Sequence, residues 1–254
     1  GAYQVTRNDQ TVTFIDTPGH AAFSEMRARG ADITDIVVLV VAADDGLMPT
    51  TFEAIDHCKA AGVTIIIAIN KVDLDRADVN KVKGQLQEND LAPEDWGGET
   101  ICVEVSAKEG TGLDDLFEMI HIQAEVLELK ANDKGPARGT VIEARTEAGK
   151  GPTATTSIQS GTLSTGDAFI CGSHYGKVKA LLNDLGERVK SAGPSVPVEV
   201  VGYSGVPNVG DELIEMESER KAKKLSDERH DQIRQDKLQP KQKIGMSAIN
   251  SAGS

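Results

Sequence analysis

The sequence predicts an α/β domain with a mostly parallel sheet, followed by a β-barrel domain and a charged helical tail. Over the first half of the 254 residues, short β-branched runs alternate with stretches of helical periodicity, which is the pattern of βαβ units. Beyond about residue 130, short β-rich runs separated by Gly turns follow one another directly, which is typical of a barrel or sandwich. After residue 216 the chain is rich in charged residues.

Residues 1–130 form the predicted first domain. Its strands are predicted at Thr11–Ile15, Ile36–Val41, Thr64–Ile69 and Thr100–Val105, with an edge strand at Ala2–Thr6. Its helices are predicted at Ala21–Arg29, Thr50–Ala61 and Leu113–Leu129. The last helix carries apolar residues at helical spacing, so we expect that face to pack on the sheet.

Residues 131–216 form the predicted barrel domain, which begins in the Gly- and Pro-bearing linker "ANDKGPARG". Its β-rich segments are "GTVIEA", "TATTSIQSG", "TGDAFICG", "GKVKALLND", "VPVEVVGY" and "GDELIEM". Residues 217–245 are predicted as a charged helical linker whose charges form a solvated face, and residues 246–254 as a disordered tail.

Composition excludes several classes of protein. The 27 basic and 40 acidic residues leave a net charge of −13, so the body should repel nucleic acid phosphate and any such contact must be local. The longest apolar run, Ile36–Ala43, is far shorter than the about 20 residues that cross a bilayer. Cys58, Cys102 and Cys171 lack C-x-x-C spacing, which favours buried thiols of a cytoplasmic protein over a zinc site or disulfides.

The first candidate motif is "DTPGH", residues 16–20, at the end of a predicted strand. Asp16 offers the carboxylate that Mg²⁺ takes directly or through a water. Around Thr17 and Pro18 the chain turns, and Gly19 allows a backbone N–H to approach a terminal phosphate. His20 is then placed to orient the attacking water. Taken alone, the motif also fits a plain type II turn with a surface histidine.

The second motif is "NKVD", directly after the run that ends at Ile69. The two oxygens of Asp73 match the adjacent donors on N1 and N2 of guanine, which adenine lacks. Lys71 can lay its stem along the base, and the Asn70 amide can tie neighbouring loops together. An ordinary polar loop after a strand is the alternative.

The third motif is "SAK", residues Ser106, Ala107 and Lys108, again directly after a predicted strand. A backbone N–H near Ala107 is placed to donate to O6 of guanine, and the small residues let the loop close over the base. Alone, these three residues say almost nothing. Because the carboxyl ends of parallel strands share one edge of a sheet, the three motifs together predict one site there.

In order and spacing, these motifs resemble the third, fourth and fifth consensus boxes of GTP-binding proteins. The stretches "DTPGHAAFSEMRARGADITDIVVLVVAADDGLMPTTFEAI", "AGVTIIIAINKVD" and "GPSVPVEVVGYSGVPNVGDE" resemble the bacterial initiation factor 2 family of translational GTPases. The resemblance implies a partial P-loop GTPase (G) domain, a shared β-barrel, and GTP, GDP and Mg²⁺ as ligands. It also implies a cytoplasmic monomer, without membrane attachment, that places initiator tRNA on the small ribosomal subunit and then joins the large one.

The sequence departs from the family in one box. No G-x-x-x-x-G-K-[ST] occurs in the 254 residues, and the threonine of the family's first switch is not found either. We therefore expect a fragment that by itself neither binds GTP tightly nor hydrolyses it, and that lacks the modules that grip initiator tRNA. In the family's sheet a further strand lies between Thr11–Ile15 and Ile36–Val41, so a gap is expected there, or direct pairing of the two.

Two other interpretations remain open at this point. The chain can be a non-enzymatic ribosome-binding module with a vestigial nucleotide site, although such a vestige has no need of Asp73. It can also be another translational GTPase, such as an elongation factor. The stretches "MRARGADITDIV" and "ADDGLMPTT" speak against an elongation factor.

Overall fold

The computed structural model describes residues 1–20 and 24–238. The chain divides into two compact units: residues 1–133 together with 194–197, and residues 134–193 together with the chain from residue 198 on. None of the described helices is both long enough and apolar enough to span a membrane.

The first unit contains a three-stranded parallel sheet of order β3-β4-β5 and a separate hairpin of β1 and β2. Its strands are β1 Ala2–Arg7, β2 Gln10–Ile15, β3 Ile36–Ala42, β4 Thr64–Asn70 and β5 Ile101–Glu104. Its helices are α1 Ser24–Ile33, α2 Pro49–Ala61, α3 Val79–Gln87 and α4 Leu113–Val126.

Both faces of the parallel sheet are covered, which is why its strands are nearly continuous apolar runs. On one face, Ile67 and Ile69 of β4 pack with apolar residues of α2 and α3. On the other face, Ile66 packs with Val103 of β5 and Ile120 of α4. The central strand is thus buried, and the polar residues that follow each strand are left at the carboxyl edge.

The expected gap in the sheet is confirmed. Strand β2 pairs with β1 in an antiparallel register that runs from Ala2↔Ile15 to Arg7↔Gln10. Among the described residues, β3 pairs with β4 alone. The strand predicted at Ala2–Thr6 is therefore one strand of the separate hairpin and not an edge of the parallel sheet. The open side of β3 leaves Val40 59% exposed.

Two helices differ from the sequence prediction. Helix α3 was not predicted, although it has a capping signal, since the Asp78 side chain accepts a hydrogen bond from the Lys81 N–H at 2.9 Å. Its buried Val82 and Leu86 lie one turn apart, too short a pattern to identify a helix of nine residues. Helix α1 continues to Ile33, and the predicted start at residues 21–23 lies outside the described residues.

The second unit is a closed barrel of six strands, in the order β10-β13-β7-β6-β14-β9 and back to β10. All six β-rich segments predicted from the sequence are confirmed as these strands. The barrel strands are β6 Arg138–Glu147, β7 Gly151–Ser160, β9 Ala168–Cys171, β10 His174–Leu182, β13 Pro197–Tyr203 and β14 Glu212–Met216. Short strands lie at β8 Leu163–Ser164, β11 Arg188–Val189 and β12 Ser191–Ala192.

Helix α5, Glu219–Leu238, lies where a charged helix was predicted, and most of its charged residues are exposed as expected. Its opposite face is docked on the barrel, which the sequence did not predict. Ala222 has no exposed surface and Ser226 is 3% exposed. The Ser226 hydroxyl donates to the Ser173 carbonyl at 2.6 Å, and the Arg229 guanidinium donates to the Gly172 carbonyl. The docked face is made of small and polar residues, which a search for apolar periodicity does not detect. The rest of the predicted linker and tail, residues 239–254, lies outside the described residues.

The three cysteines are free thiols, and Cys58 and Cys171 are buried while Cys102 is half-buried. Burial raises the pKa of Cys102 to about 11 and that of Cys171 to about 12. These thiols are therefore protonated at neutral pH, which fits the predicted role as small apolar side chains.

Candidate nucleotide-binding site

The site is built at the carboxyl edge of the parallel sheet. The register aligns Ala42 of β3 with Asn70 of β4, and Ile69 of β4 with Glu104 of β5. The loops that follow the three strands therefore begin side by side. Such an edge is where open α/β sheets bind their ligands.

Asn70 connects the three loops. Its Oδ1 accepts hydrogen bonds from the Lys71 N–H at 2.8 Å and the Ala107 N–H at 3.0 Å, while its carbonyl accepts from the Ala43 N–H at 2.7 Å. This is the loop-tying contact expected of its amide. The Ala107 N–H is engaged here, so the donor expected for guanine O6 must be another N–H of that loop or this one after rearrangement.

Lys71 has a left-handed backbone conformation with φ of 65°. For a residue with a Cβ this conformation costs about 1 kcal/mol, and such residues are enriched at functional sites. Its side chain is also held, because Nζ donates a hydrogen bond to Oδ1 of Asp44 at 3.2 Å. The exposed carboxylate of Asp45 lies farther away, at 3.6 Å. The Asp44 hydrogen bond raises the pKa of the Lys71 ammonium.

Asp44 lies in the turn after β3 and was not singled out in the sequence. Its carboxylate also accepts a hydrogen bond from Nη2 of Arg76 at 2.6 Å, and its side chain has no exposed surface. Desolvation by itself would raise the pKa of Asp44, but the hydrogen bond and charge of Lys71, together with the charge of Arg76, hold this pKa below its usual value. Asp44 is thus a buried carboxylate paired with two cations.

Asp73 is oriented by Ser106. The Ser106 hydroxyl donates to Oδ1 of Asp73 at 2.7 Å and accepts from the Glu109 N–H at 3.1 Å. Ser106 is 1% exposed, whereas Asp73 and Lys108 are exposed. From the sequence, Ser106 was predicted only as a small residue, but its hydroxyl links the second and third motifs.

The first motif follows β2, and Asp16, Gly19 and His20 are all exposed. Nη1 of Arg27 donates to the carbonyls of Pro18 at 3.1 Å and His20 at 2.8 Å, which are the carbonyls on either side of Gly19. Among the residues that the structure describes, none has an atom within 4 Å of the position that a Cβ of Gly19 would take. The backbone at Gly19 is therefore both anchored and open to a ligand.

Behind this loop, Arg27 belongs to a polar network between α1 and α2. Its Nη2 donates to Oε1 of Glu53 at 3.0 Å, and Nε2 of His57 lies 3.3 Å from the same oxygen. The hydrogen bond from Ser24, together with those from Arg27 and His57, lowers the pKa of Glu53, although partial desolvation acts to raise it. In the sequence, this network is visible only as polar residues one turn apart within each helix. Nothing in the sequence indicates that the two helices lie side by side.

At Thr17, the loop lies against α1. A Cβ on the buried Gly30 would come 3.1 Å from Cγ2 of Thr17, so the glycine allows the close approach. The first motif therefore contacts Arg27 of α1, which in turn contacts Glu53 of α2. The second and third motifs contact each other.

In residues 1–20 and 24–238, no cluster of three or more His, Cys, Asp or Glu side chains could hold a metal ion. Asp16 is a single exposed carboxylate. Mg²⁺ at a phosphate site needs only one or two carboxylates, since phosphate oxygens and waters fill its other positions, so Asp16 fits this ion.

Comparison with known proteins defines the class first. Residues 1–125 match the family model described as the elongation factor Tu GTP binding domain, and residues 136–216 match elongation factor G domain 2. The two matches follow each other along the chain in the arrangement of a translational GTPase, with a GTP-binding domain before a β-barrel.

The relatives then narrow the class. The chain is 57% identical over 249 residues to translation initiation factor IF-2 of Caldanaerobacter subterraneus subsp. tengcongensis, covering 98% of this chain and 35% of that protein. It is 54% identical over 249 residues to the factor of Clostridium botulinum, covering 98% of this chain and 36% of that protein. The chain belongs to the translation initiation factor IF-2 family of translational GTPases. It spans about a third of the length of these curated relatives.

Solved structures agree on the fold. GDP-bound aIF5B from Aeropyrum pernix has a TM-score of 0.72 at 26% identity, over 89% of this chain and 46% of that chain. Bacterial selenocysteine-specific elongation factor EF-Sec has a TM-score of 0.67 at 23% identity, over 84% of this chain and 38% of that chain, which shows a shared fold alone.

Proposed function

We propose that this chain is the guanine-nucleotide-binding and barrel portion of a translation initiation GTPase. The observation that carries the proposal is the pair of contacts from Asn70 to Ala107 and from Ser106 to Asp73, which make one recognition edge of two loops. Such an edge suits a planar base whose donors and acceptors lie on one side. The similarity to a GTP-binding domain and to IF-2 proteins supports guanine as this base.

At this edge, Asp73 accepts from N1 and N2 of guanine while Ser106 holds its carboxylate in place. Lys71 supports the base through its aliphatic stem, and a backbone N–H near Ala107, in the loop that includes Lys108, donates to O6. Asn70 keeps the two loops in register. The role of each residue follows from its donors, acceptors and position.

At the phosphate end, Asp16 would hold Mg²⁺ directly or through a water, and the N–H of Gly19 would face the terminal phosphate. Bound Mg²⁺ would neutralise charge that develops on the phosphate oxygens. His20 positions the attacking water, and Thr17 and Pro18 shape the loop that presents it. Arg27 supports this loop through its two carbonyl contacts.

The whole protein, by analogy with its IF-2 relatives, places initiator tRNA on the small ribosomal subunit and promotes joining of the large subunit. Contact with tRNA is assigned to domains outside these residues. The protein is proposed to act as a cytoplasmic monomer. The IF-2 relatives do not favour the non-enzymatic module considered from the sequence.

The 254 residues contain no G-x-x-x-x-G-K-[ST], which supplies the lysine and backbone donors for the phosphates in this class of enzyme. We expect no tight GTP binding and no turnover by the 254-residue chain alone. Isothermal titration and a phosphate-release assay check this expectation, and turnover by the purified chain would contradict it.

The activity is tested in an extended protein, in which a segment bearing G-x-x-x-x-G-K-[ST] is joined before Gly1. The extended protein is expected to hydrolyse GTP when ribosomes are added. His20→Ala should lower the rate by about 100-fold, because misplacing a reacting group costs about that much. Affinity for GDP should stay unchanged in this variant, since the base-recognition residues are intact. Equal GTPase rates with and without His20 would refute its role.

Base recognition has its own test. Asp73→Asn replaces one carboxylate oxygen by an amide donor, which matches the C2 carbonyl of xanthine and not the amine of guanine. We expect the preference of the extended protein to move from GDP toward xanthosine diphosphate. An unchanged preference would refute the assignment of Asp73.

A further inference from the structure

We infer that Asp44, in the turn after β3, is a positioning residue of the base site that holds the Lys71 side chain in place for the nucleotide. The inference rests on the proposed function. It assigns a role to a residue outside the three sequence motifs.

The first argument is the burial of the carboxylate. The Asp44 side chain has no exposed surface, whereas those of Lys71 and Arg76 are 45% and 75% exposed. Each oxygen of Asp44 is used, Oδ1 by Lys71 at 3.2 Å and Oδ2 by Arg76 at 2.6 Å. The buried acceptor is the fixed partner, and the two exposed cations are the groups whose positions it determines.

The second argument is that the turn carrying this carboxylate is tied at several points. The Ala43 N–H donates to the Asn70 carbonyl at 2.7 Å, and the Ala43 carbonyl accepts from the Asp78 N–H at 2.9 Å. The Leu47 N–H donates to Oε1 of Gln85 on α3 at 3.0 Å. The turn is therefore anchored to β4 and to both ends of the segment that forms α3, and it offers a rigid support.

The third argument concerns Lys71 itself. Its backbone is held in the left-handed conformation, with its N–H on Oδ1 of Asn70, and its ammonium is held by Asp44. A lysine stem fixed at both ends has lost most of its rotamer freedom before a ligand arrives. Binding then costs less entropy, which is the physical meaning of preorganisation.

An exposed ion pair without a role is the alternative, and such pairs contribute little. The neighbouring Asp45 provides the comparison. Its side chain is 53% exposed and lies 3.6 Å from the Lys71 ammonium, as an ordinary surface partner does. Asp44 differs from it by complete burial and by its second cation.

The test compares GDP affinities of the extended protein and its variants with a fluorescent GDP. Asp44→Asn keeps the size of the side chain but removes its charge, and we expect about 10-fold weaker binding. Lys71→Ala should weaken binding at least as much, and the double variant should be no weaker than Lys71→Ala, since both changes remove one interaction. The matched control, Asp45→Asn, should stay within about 2-fold.

A second measurement separates positioning from damage to the loop. Inosine diphosphate lacks the amine that Asp73 reads, so the ratio of GDP to inosine diphosphate affinity reports Asp73 alone. We expect Asp44→Asn to leave this ratio unchanged while both affinities fall together. A collapsed loop would move Asp73 and change the ratio.

A third measurement uses the 254-residue chain and needs no nucleotide. The pKa of the Lys71 ammonium, followed by NMR of its side chain, should fall in Asp44→Asn and much less in Asp45→Asn. The inference is overturned if Asp44→Asn binds GDP as the parent does, if its effect adds to that of Lys71→Ala, or if this pKa does not change. Failure of the parent extended protein to bind GDP would instead overturn the proposed function, and the inference with it.

Discussion

Ser106→Ala tests the contact that joins the two base-recognition loops. The substitution removes a hydroxyl that is 1% exposed, along with its hydrogen bonds to Oδ1 of Asp73 at 2.7 Å and from the Glu109 N–H at 3.1 Å. The hydrogen bond to the charged Asp73 should contribute about 1.5 kcal/mol to the free energy of unfolding. This value is the low end of the usual range for such bonds, because the exposed Asp73 can bind water when the hydroxyl is removed. The bond from the Glu109 N–H adds about 0.5 kcal/mol.

The expected loss in the free energy of unfolding is therefore about 2 kcal/mol, which corresponds to a Tm lower by roughly 6 °C for a unit of this size. Trp96 is the single tryptophan of the chain and lies in the first unit, so its fluorescence during urea unfolding reports this unit. The control is Lys108→Ala, which removes an exposed side chain paired with Glu109 at 3.4 Å and should cost less than about 0.5 kcal/mol. A Ser106→Ala protein as stable as its parent, or a control equally destabilised, would refute the reasoning.

Three further predictions concern other parts of the molecule. Ala222→Glu places a charge at a position without exposed surface, so α5 should leave the barrel and far-UV circular dichroism should fall, whereas the exposed Lys223→Glu should change little. Arg27→Ala removes the donor to the carbonyls on either side of the phosphate-facing glycine, and ribosome-stimulated GTPase activity of the extended protein should fall about 10-fold. The half-exposed Arg29→Ala is its control, and equal activities of the two variants would contradict the reasoning. Burial raises the pKa of the Cys102 thiol from 9.0 to about 11, so the folded protein keeps this proton at a pH where the unfolded chain loses it. The contribution of Cys102 to the free energy of unfolding should therefore be complete below pH 9 and be lost between about pH 9 and 11. Urea unfolding of the parent and of Cys102→Ala across this range measures the difference.

Local patterns determined much of this protein. The β-branched runs specified the parallel strands and the six barrel strands, because a strand's burial pattern is set by residues next to each other in the chain. Polar residues placed after strand ends predicted where the site lies, since parallel strands end at one edge. The short helix α3 was not predicted, because two buried residues one turn apart are too weak a pattern to identify a helix.

The pairing of distant side chains was decided only by the tertiary structure. Ser106 lies 33 residues beyond Asp73, and Asp44 lies 27 residues before Lys71, and no periodicity connects such pairs. Their contacts depend on strand register and loop geometry, which bring the three loop starts side by side. The docking of α5 through Ser226 had the same origin, since small and polar contact residues resemble a solvated face until the barrel surface is present. Residue types therefore specified which chemistry the edge can do, and the fold decided which residues hold it in position.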